Sequence, residues 1–548
     1  MVFARRSTTL LAAIIASCAM VLSLTACTSD NKTVVDGQTT VTSNSAGGVA
    51  NRHIINGHVP FRTTKGEQVP LNKWAKLVPD LTKALVDAGF KKGDINHTTS
   101  DSLDKQSRAI QDFVVDHLSN NTTDDSGIAI APDNMTLLVA PVVEADASTR
   151  QYGDYVSQNL STNDVTDEGA TSDGESSEDD SSKDDSSNTE SDSTASDEQA
   201  QAVDRLVSSL KLAKESGMHV VLLGNSIEGY KPDAFVKFSD AQTIGKLQAE
   251  KMVSKLKLDK ASKDNPKYIE VLLPYTAVDE KGNANDSTFA QEAFRGIWQV
   301  LGSYYQKGVV ESPSGTLDGK STENDWQAVA YDAAKEGSTA KVLDKRLAKT
   351  DGQSTLTRID GIITMNDYIA SEVVKELDDL GYTGSAADIN PQITISGIVG
   401  NITGKKDLSR DAVPDPIKSP ENDNANDSSS SDDDADEDTS ASDKDRDSQW
   451  PLVTGYGAYV SNIPSIVNGK QWMTGMEDRQ TIATDIAQAC AKLNKDEALN
   501  SMPSIRNSEV GGVKKIPTIS EPLLAVSASN LKSALIDPGY ISLADAGL

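Results

Sequence analysis

Cysteine, histidine and aromatic side chains are all scarce in this chain: three cysteines, five histidines and 5% Phe, Trp and Tyr among 548 residues. Cys18 lies inside an N-terminal apolar stretch, Cys27 closes it, and Cys490 stands alone in an apolar helical pattern with Ile486 and Leu493. With Cys18 removed in an N-terminal signal and Cys27 modified, as described below, no intramolecular disulfide can form, and Cys490 reads as a small buried hydrophobe. The histidines are scattered, and His53 and His58 fall in a strand candidate beside a polar stretch, so no metal site is expected. Gly-x-Ser-x-Gly, His-Glu-x-x-His and phosphate-loop motifs are missing, and neither an enzyme nor a cofactor is expected. No basic patch is available to neutralise phosphates, which argues against nucleic acid as a partner. Beyond residue 24 no apolar run approaches the length of about 20 residues that a membrane span needs.

Acidic side chains are what the sequence has in excess, with 82 Asp and Glu against 52 Lys and Arg and a net charge of −30. Residues 164–198 carry a net −13 and residues 421–447 a net −10, so most of the imbalance sits in two Ser/Asp-rich segments. Neither can bury enough apolar surface to offset chain entropy, and neither has the Asp-x-Asp-x-Asp-Gly spacing of a calcium loop. Both are expected to be disordered insertions. At the other extreme, Arg5-Arg6 precede an apolar core over residues 10–24, followed by Thr25-Ala26-Cys27. That layout is a secretory signal over residues 1–26. Residues 27–52 are polar and include Gly47-Gly48, and a flexible tether of that length would span roughly 25–30 Å.

Between the acidic segments, short apolar runs alternate with helical periodicity. Strands are expected at 53–61, 127–132, 219–224, 268–273, 359–365, 393–397 and 452–455. Helices are expected at 74–90, 103–118, 203–216, 287–306, 326–336, 368–380 and 479–493. Such alternation implies βαβ units, mainly parallel sheets and right-handed crossovers. A chain of this length calls for two α/β lobes, with ligands beyond the carboxyl ends of the strands.

Several stretches carry a resemblance to known families. Leu24-Thr25-Ala26-Cys27 is similar to the lipobox of bacterial lipoproteins, which implies cleavage before Cys27 and lipid on its side chain. Residues 234–249, ending Gly245-Lys-Leu-Gln-Ala249, residues 361–370 with Asn366-Asp367, residues 468–474 with Gln471-Trp-Met-Thr474, and residues 517–548 resemble the xylose/multiple-sugar-type substrate-binding lipoproteins of ABC importers. The resemblance implies the two-lobed type I periplasmic-binding-protein fold, each lobe a mainly parallel sheet flanked by helices, with a three-crossover hinge. It places an N-terminal lobe at 53–258 and 471–510, a C-terminal lobe at 259–470 and 511–548, and crossovers near 257–266, 469–474 and 506–518. The implied partners are a small-molecule sugar and a membrane ABC permease, with the lipid on Cys27 holding a monomer to the outer face of the cytoplasmic membrane.

A pyranose has paired hydroxyls and apolar ring faces, so a site for it needs planar amides, carboxylates and an aromatic surface. By the family pattern Trp74, Asn285, Asn366 and Asp367 fall at ligand-contacting positions. Each has a plainer alternative: Trp74 as core, Asn366 and Asp367 as a helix cap, Asn285 as turn chemistry. Two departures accompany these matches. Leu223-Gly-Asn225-Ser226 stands where the family shows a Tyr-Asp-Arg-like element, and Thr454-Gly-Tyr456-Gly457 replaces Thr-Gly-Gln-Asp. Asn225, Ser226 and Tyr456 are therefore expected to face a less charged cleft. The leading expectation is hinge closure on a sugar or related polyol for delivery to the permease. The alternative is a non-transport ligand sensor or degenerate receptor on the same scaffold. A regulator would need an N-terminal helix-turn-helix in place of the signal, and a glycosidase would need a second cleft carboxylate beside Asp367.

Overall fold

Runs such as Val220-Val-Leu-Leu223 are apolar on every residue, and in an α/β protein such runs form strands covered by helices on both faces. The computed structural model describes residues 38–42, 50–51, 71–98, 100, 102–120, 135–143, 150–153, 155, 158–162, 190–278, 285–333, 335–348, 355–386 and 449–548. They all belong to one unit, Asp36–Leu548. The expected signal and Cys27, the strands at 53–61, 127–132 and 393–397, and the acidic segment 421–447 lie outside the described residues.

The first sheet runs Ile505–Val510, Val513–Ser520, Ala234–Lys237, His219–Leu223, Thr136–Val139, Gln38–Thr42 and Ala50–Asn51. Its centre is parallel, from Thr136–Val139 to Val513–Ser520. The edges are antiparallel, and Ile95–Thr98 also pairs with Gln38–Thr42. Helices Trp74–Asp87 and Arg479–Leu493 pack on one face, with Leu77, Leu81, Ile482 and Ile486 against Val221 and Leu223. Helices Leu103–Asn120 and Glu190–Glu215 cover the other.

The second sheet runs Val310–Glu311, Lys267–Val271, Gly361–Ile363, Leu452–Tyr456, Met473–Met476 and Leu524–Ser527, parallel except for the last pair. Helices Ala241–Lys255 and Thr288–Gln306 share a core with Ile269, Val271 and Ile363. They cross where glycine removes the side chain: a Cβ at Gly245 would overlap the Ala293 carbonyl, and one at Gly296 the Gln242 carbonyl. Helix Asp367–Leu380 lies on the opposite face with Ile362 and Val453. The fold class is therefore α/β, two-lobed and mainly parallel.

Five expectations need correction. The chain crosses between the sheets near 238–240, 477–478 and 521–523, not near 257–266, 469–474 and 506–518. Helix Ala241–Lys255 buries Ile244, Ala249 and Met252 in the second core, so the first crossover precedes it. Strand Met473–Met476 pairs in the second sheet and Val513–Ser520 in the first, which moves the lobe boundaries set at 258, 470 and 510. Gln38–Thr42 is a strand within the stretch taken as a tether, consistent with its β-branched residues. Helix Glu190–Glu215 begins inside the segment 164–198 taken as disordered; acidic residues suit a helix N-terminus. Finally, the expected helix 326–336 stops at Val329, because Ala330–Tyr331 pairs with Leu273–Pro274.

Candidate functional site

The loops after the parallel strands of both sheets meet around one short segment, residues 150–153 and 155, which in sequence falls between strand Thr136–Val139 and the acidic insertion. From the second sheet, Asn366 follows strand Gly361–Ile363. Met365 adopts a left-handed conformation (φ 68°), a costly one for a large side chain, and turns the chain into helix Asp367–Leu380. Asn366 caps that helix, accepting the Ile369 N–H at 2.9 Å. Its Nδ2 donates to Oε1 of Gln151 at 2.8 Å. One asparagine thus serves both as cap and as a contact across the site.

Tyr459 donates its hydroxyl to the Gln151 carbonyl at 2.7 Å. The Tyr152 ring packs against Phe289 (centroids 4.7 Å) and Tyr456 (6.2 Å), and Tyr152 is 1% exposed. On the first-sheet side a Cβ at Gly153, whose φ is 98°, would overlap the Asn72 carbonyl. Tyr155 stacks on Phe238 (4.8 Å), meets Trp74 edge-on (5.0 Å) and donates to the Lys73 carbonyl at 2.6 Å.

Asp367 points the other way, behind the end of strand Leu452–Tyr456. It accepts from the Tyr459 N–H (2.9 Å), the Thr474 hydroxyl (2.8 Å) and Nε2 of Gln471 (2.7 Å). Gly455 provides the space, since a Cβ there would overlap its carboxylate. Burial pushes the Asp367 carboxyl up to about 6, although the three donors pull it down.

The remaining candidates divide similarly. Trp74 is core, edge-on to both Tyr155 and Phe238. Asn225 ties loops of the first sheet together, with Nδ2 donating to Pro141 O (2.8 Å) and Oδ1 accepting the Gln158 N–H (2.9 Å). Ser226 binds Oδ1 of Asn159 (2.7 Å). Asn285 donates to Thr276 O at 2.9 Å within its own loop, before helix Thr288–Gln306. Tyr456 shares its hydroxyl with Ser239 Oγ at 2.5 Å, bridging the first crossover. Burial raises its phenol well above the ordinary value. Glu477, on the second crossover, accepts the Ser239 N–H at 2.6 Å, and burial pushes it up to about 7.

The structure thus brings Asn366 and Tyr456 to the junction and places Trp74, Asn225, Asn285 and Asp367 in packing or loop-tying positions. Sequence reasoning missed Gln151, Tyr152, Phe289 and Tyr459. The signal for the first two was an Arg-Gln-Tyr-Gly-Asp-Tyr run, two aromatics and a glycine in an otherwise polar stretch of an aromatic-poor chain. Among the described residues no cluster of three or more His, Cys, Asp or Glu can hold a metal, and no helix is long and apolar enough to cross a membrane.

No family model matches the chain, and no curated protein matches it. Solved structures do align. An ABC transporter solute-binding protein from Clostridium phytofermentans with bound β-D-glucose is 20% identical over 62% of this chain and 79% of its own, with a TM-score of 0.36. A carbohydrate transporter solute-binding protein from Chloroflexus aurantiacus in complex with D-glucose is 19% identical over 64% and 86%, also at 0.36. A periplasmic ribose ABC transporter protein from Conexibacter woesei is 11% identical over 86% and 97%, at 0.38.

Proposed function

We propose that this protein is an extracytoplasmic solute-binding lipoprotein that captures a sugar or related polyol between its two lobes and delivers it to an ABC permease. Cys27 carries the lipid that holds it to the outer face of the cytoplasmic membrane. The observation that carries this reading is the convergence of Asn366, Tyr459, Phe289 and Tyr456 at the carboxyl ends of the second sheet's strands. Together they offer an amide, a phenol hydroxyl and two aromatic rings, the group types that grip a pyranose by its hydroxyls and its C–H face. Three crossovers give the lobes a hinge about which to close.

The test is a thermal-shift screen of the purified mature protein against monosaccharides, oligosaccharides and polyols. A ligand that binds only the folded chain raises its melting temperature. A shift with at least one sugar supports the proposal, and none across the panel overturns it. The alternative, a ligand sensor or degenerate receptor without transport, is favoured by one observation: Gln151 already engages Asn366 and Tyr459.

A further inference from the structure

We infer that residues 151–153 are an internal strap that occupies the ligand cleft, so that a sugar must displace Gln151 and Tyr152 to bind. The inference rests on the solute-binding reading above. The strap mimics a ligand in its chemistry: a side-chain amide oxygen on Asn366, a carbonyl on Tyr459 and a ring over Phe289 and Tyr456. Each of these groups is one that a pyranose would use; Asn366, Tyr456 and Tyr459 are buried while the strap is in place, and Phe289 is half-buried. On its other side the strap touches the first lobe, where Gly153 passes against the backbone of Asn72. It therefore spans both lobes as a bound solute does.

The strap's attachment is also that of a removable part. Among the described residues its hold on the second sheet includes two hydrogen bonds, whose net contributions are individually small, and the packing of the buried Tyr152 ring. Tyr155 then anchors the following chain to the first lobe through Lys73 and Phe238. A strap fixed there can swing out without unravelling the first sheet. Displacement makes uptake depend on the difference between ligand and strap affinities, which raises the sugar concentration needed for half-saturation.

The experiment uses the full chain and three forms, wild type, Gly153→Ala and Tyr152→Ala. Gly153→Ala lifts the strap without altering a cleft side chain. Native-state trypsin cleavage of the Arg150–Gln151 bond is followed by mass spectrometry, with Lys251–Met252 inside helix Ala241–Lys255 as the global-unfolding reference. D-Glucose, D-xylose and D-ribose are each titrated by calorimetry. The strap predicts cleavage at Arg150 at least 10-fold faster than at Lys251, a further acceleration in both variants and with saturating sugar, and at least 10-fold tighter sugar binding by the variants. Cleavage at Arg150 no faster than at Lys251 overturns the strap, because the segment is then core. Equal or weaker sugar affinity in the variants overturns it too. If no form binds a sugar while Arg150 is cut early, the strap stands as an opening element and the sugar reading fails.

Discussion

The two walls of the cleft differ in what their polar groups hold. On the first-sheet wall, Asn225, Tyr155 and Trp74 are tied to their own lobe, through Pro141, Gln158, Lys73 and Phe238. On the second-sheet wall, Asn366 and Tyr459 reach across to Gln151, a residue of a segment that enters from the first lobe. Both walls are buried, yet only the second is buried by something that can leave. On the proposed reading, burial alone does not separate an asparagine that ties loops from one that would meet a ligand. The identity of the partner does.

Three changes sharpen that contrast. Trp74→Ala removes the centre of the Trp74–Tyr155–Phe238 cluster and is expected to cost about 3–5 kcal/mol in urea unfolding, as large-to-small core changes do. A small loss there would show that the first wall is not core. Glu477→Gln acts through pH. Burial raises the Glu477 carboxyl to about 7 from an ordinary 4.5, so the folded state holds its proton after the unfolded chain has released it. Wild-type stability from this group therefore falls as pH rises from about 4.5 to about 7 and is level above that. The variant should match or trail the wild type at pH 4 and gain on it by on the order of a few kcal/mol by pH 8. A difference that does not change with pH would remove Glu477 as a titrating hinge group. Asn225→Ala leaves the buried Pro141 carbonyl and the part-buried Gln158 N–H without their bonds and should cost about 1–3 kcal/mol of stability, read by the same unfolding midpoint.

Much of the scaffold was legible in the sequence. An apolar run located strand His219–Leu223, the strand–helix alternation located Leu452–Tyr456 to within a residue, and the 3.6-residue stripe located helix Arg479–Leu493 at the expected bounds. The crossovers were not, because lobe membership is decided by which sheet a helix buries its face against, and periodicity gives the face without the partner. The same limit explains Ala330–Tyr331, whose helical pattern yields to a strand pairing. At the candidate site, Asn366 was singled out by the resemblance of residues 361–370 to a strand-Asn-Asp-helix element. Asp367, its neighbour, was assigned the same role, yet its orientation depends on the space left by Gly455 and on donors from Gln471 and Thr474, about a hundred residues away. Gln151 and Tyr152 stand out locally only as part of an aromatic run in a polar stretch, and their place at the junction is set by tertiary packing.

The central claim is that the second-sheet wall reads the ligand and the first-sheet wall supports it. Its most direct test is a calorimetric titration of one sugar, the strongest from the thermal-shift screen, into Gly153→Ala and into the same variant carrying Asn366→Ala or Asn225→Ala, under conditions where all three are folded. With the strap lifted, loss of the Asn366–Gln151 bond no longer offsets loss of the Asn366–ligand bond. The account predicts that Asn366→Ala weakens binding by at least about 10-fold, about 1.4 kcal/mol, while Asn225→Ala leaves it unchanged. Loss of affinity in Asn225→Ala with Asn366→Ala unchanged would contradict it.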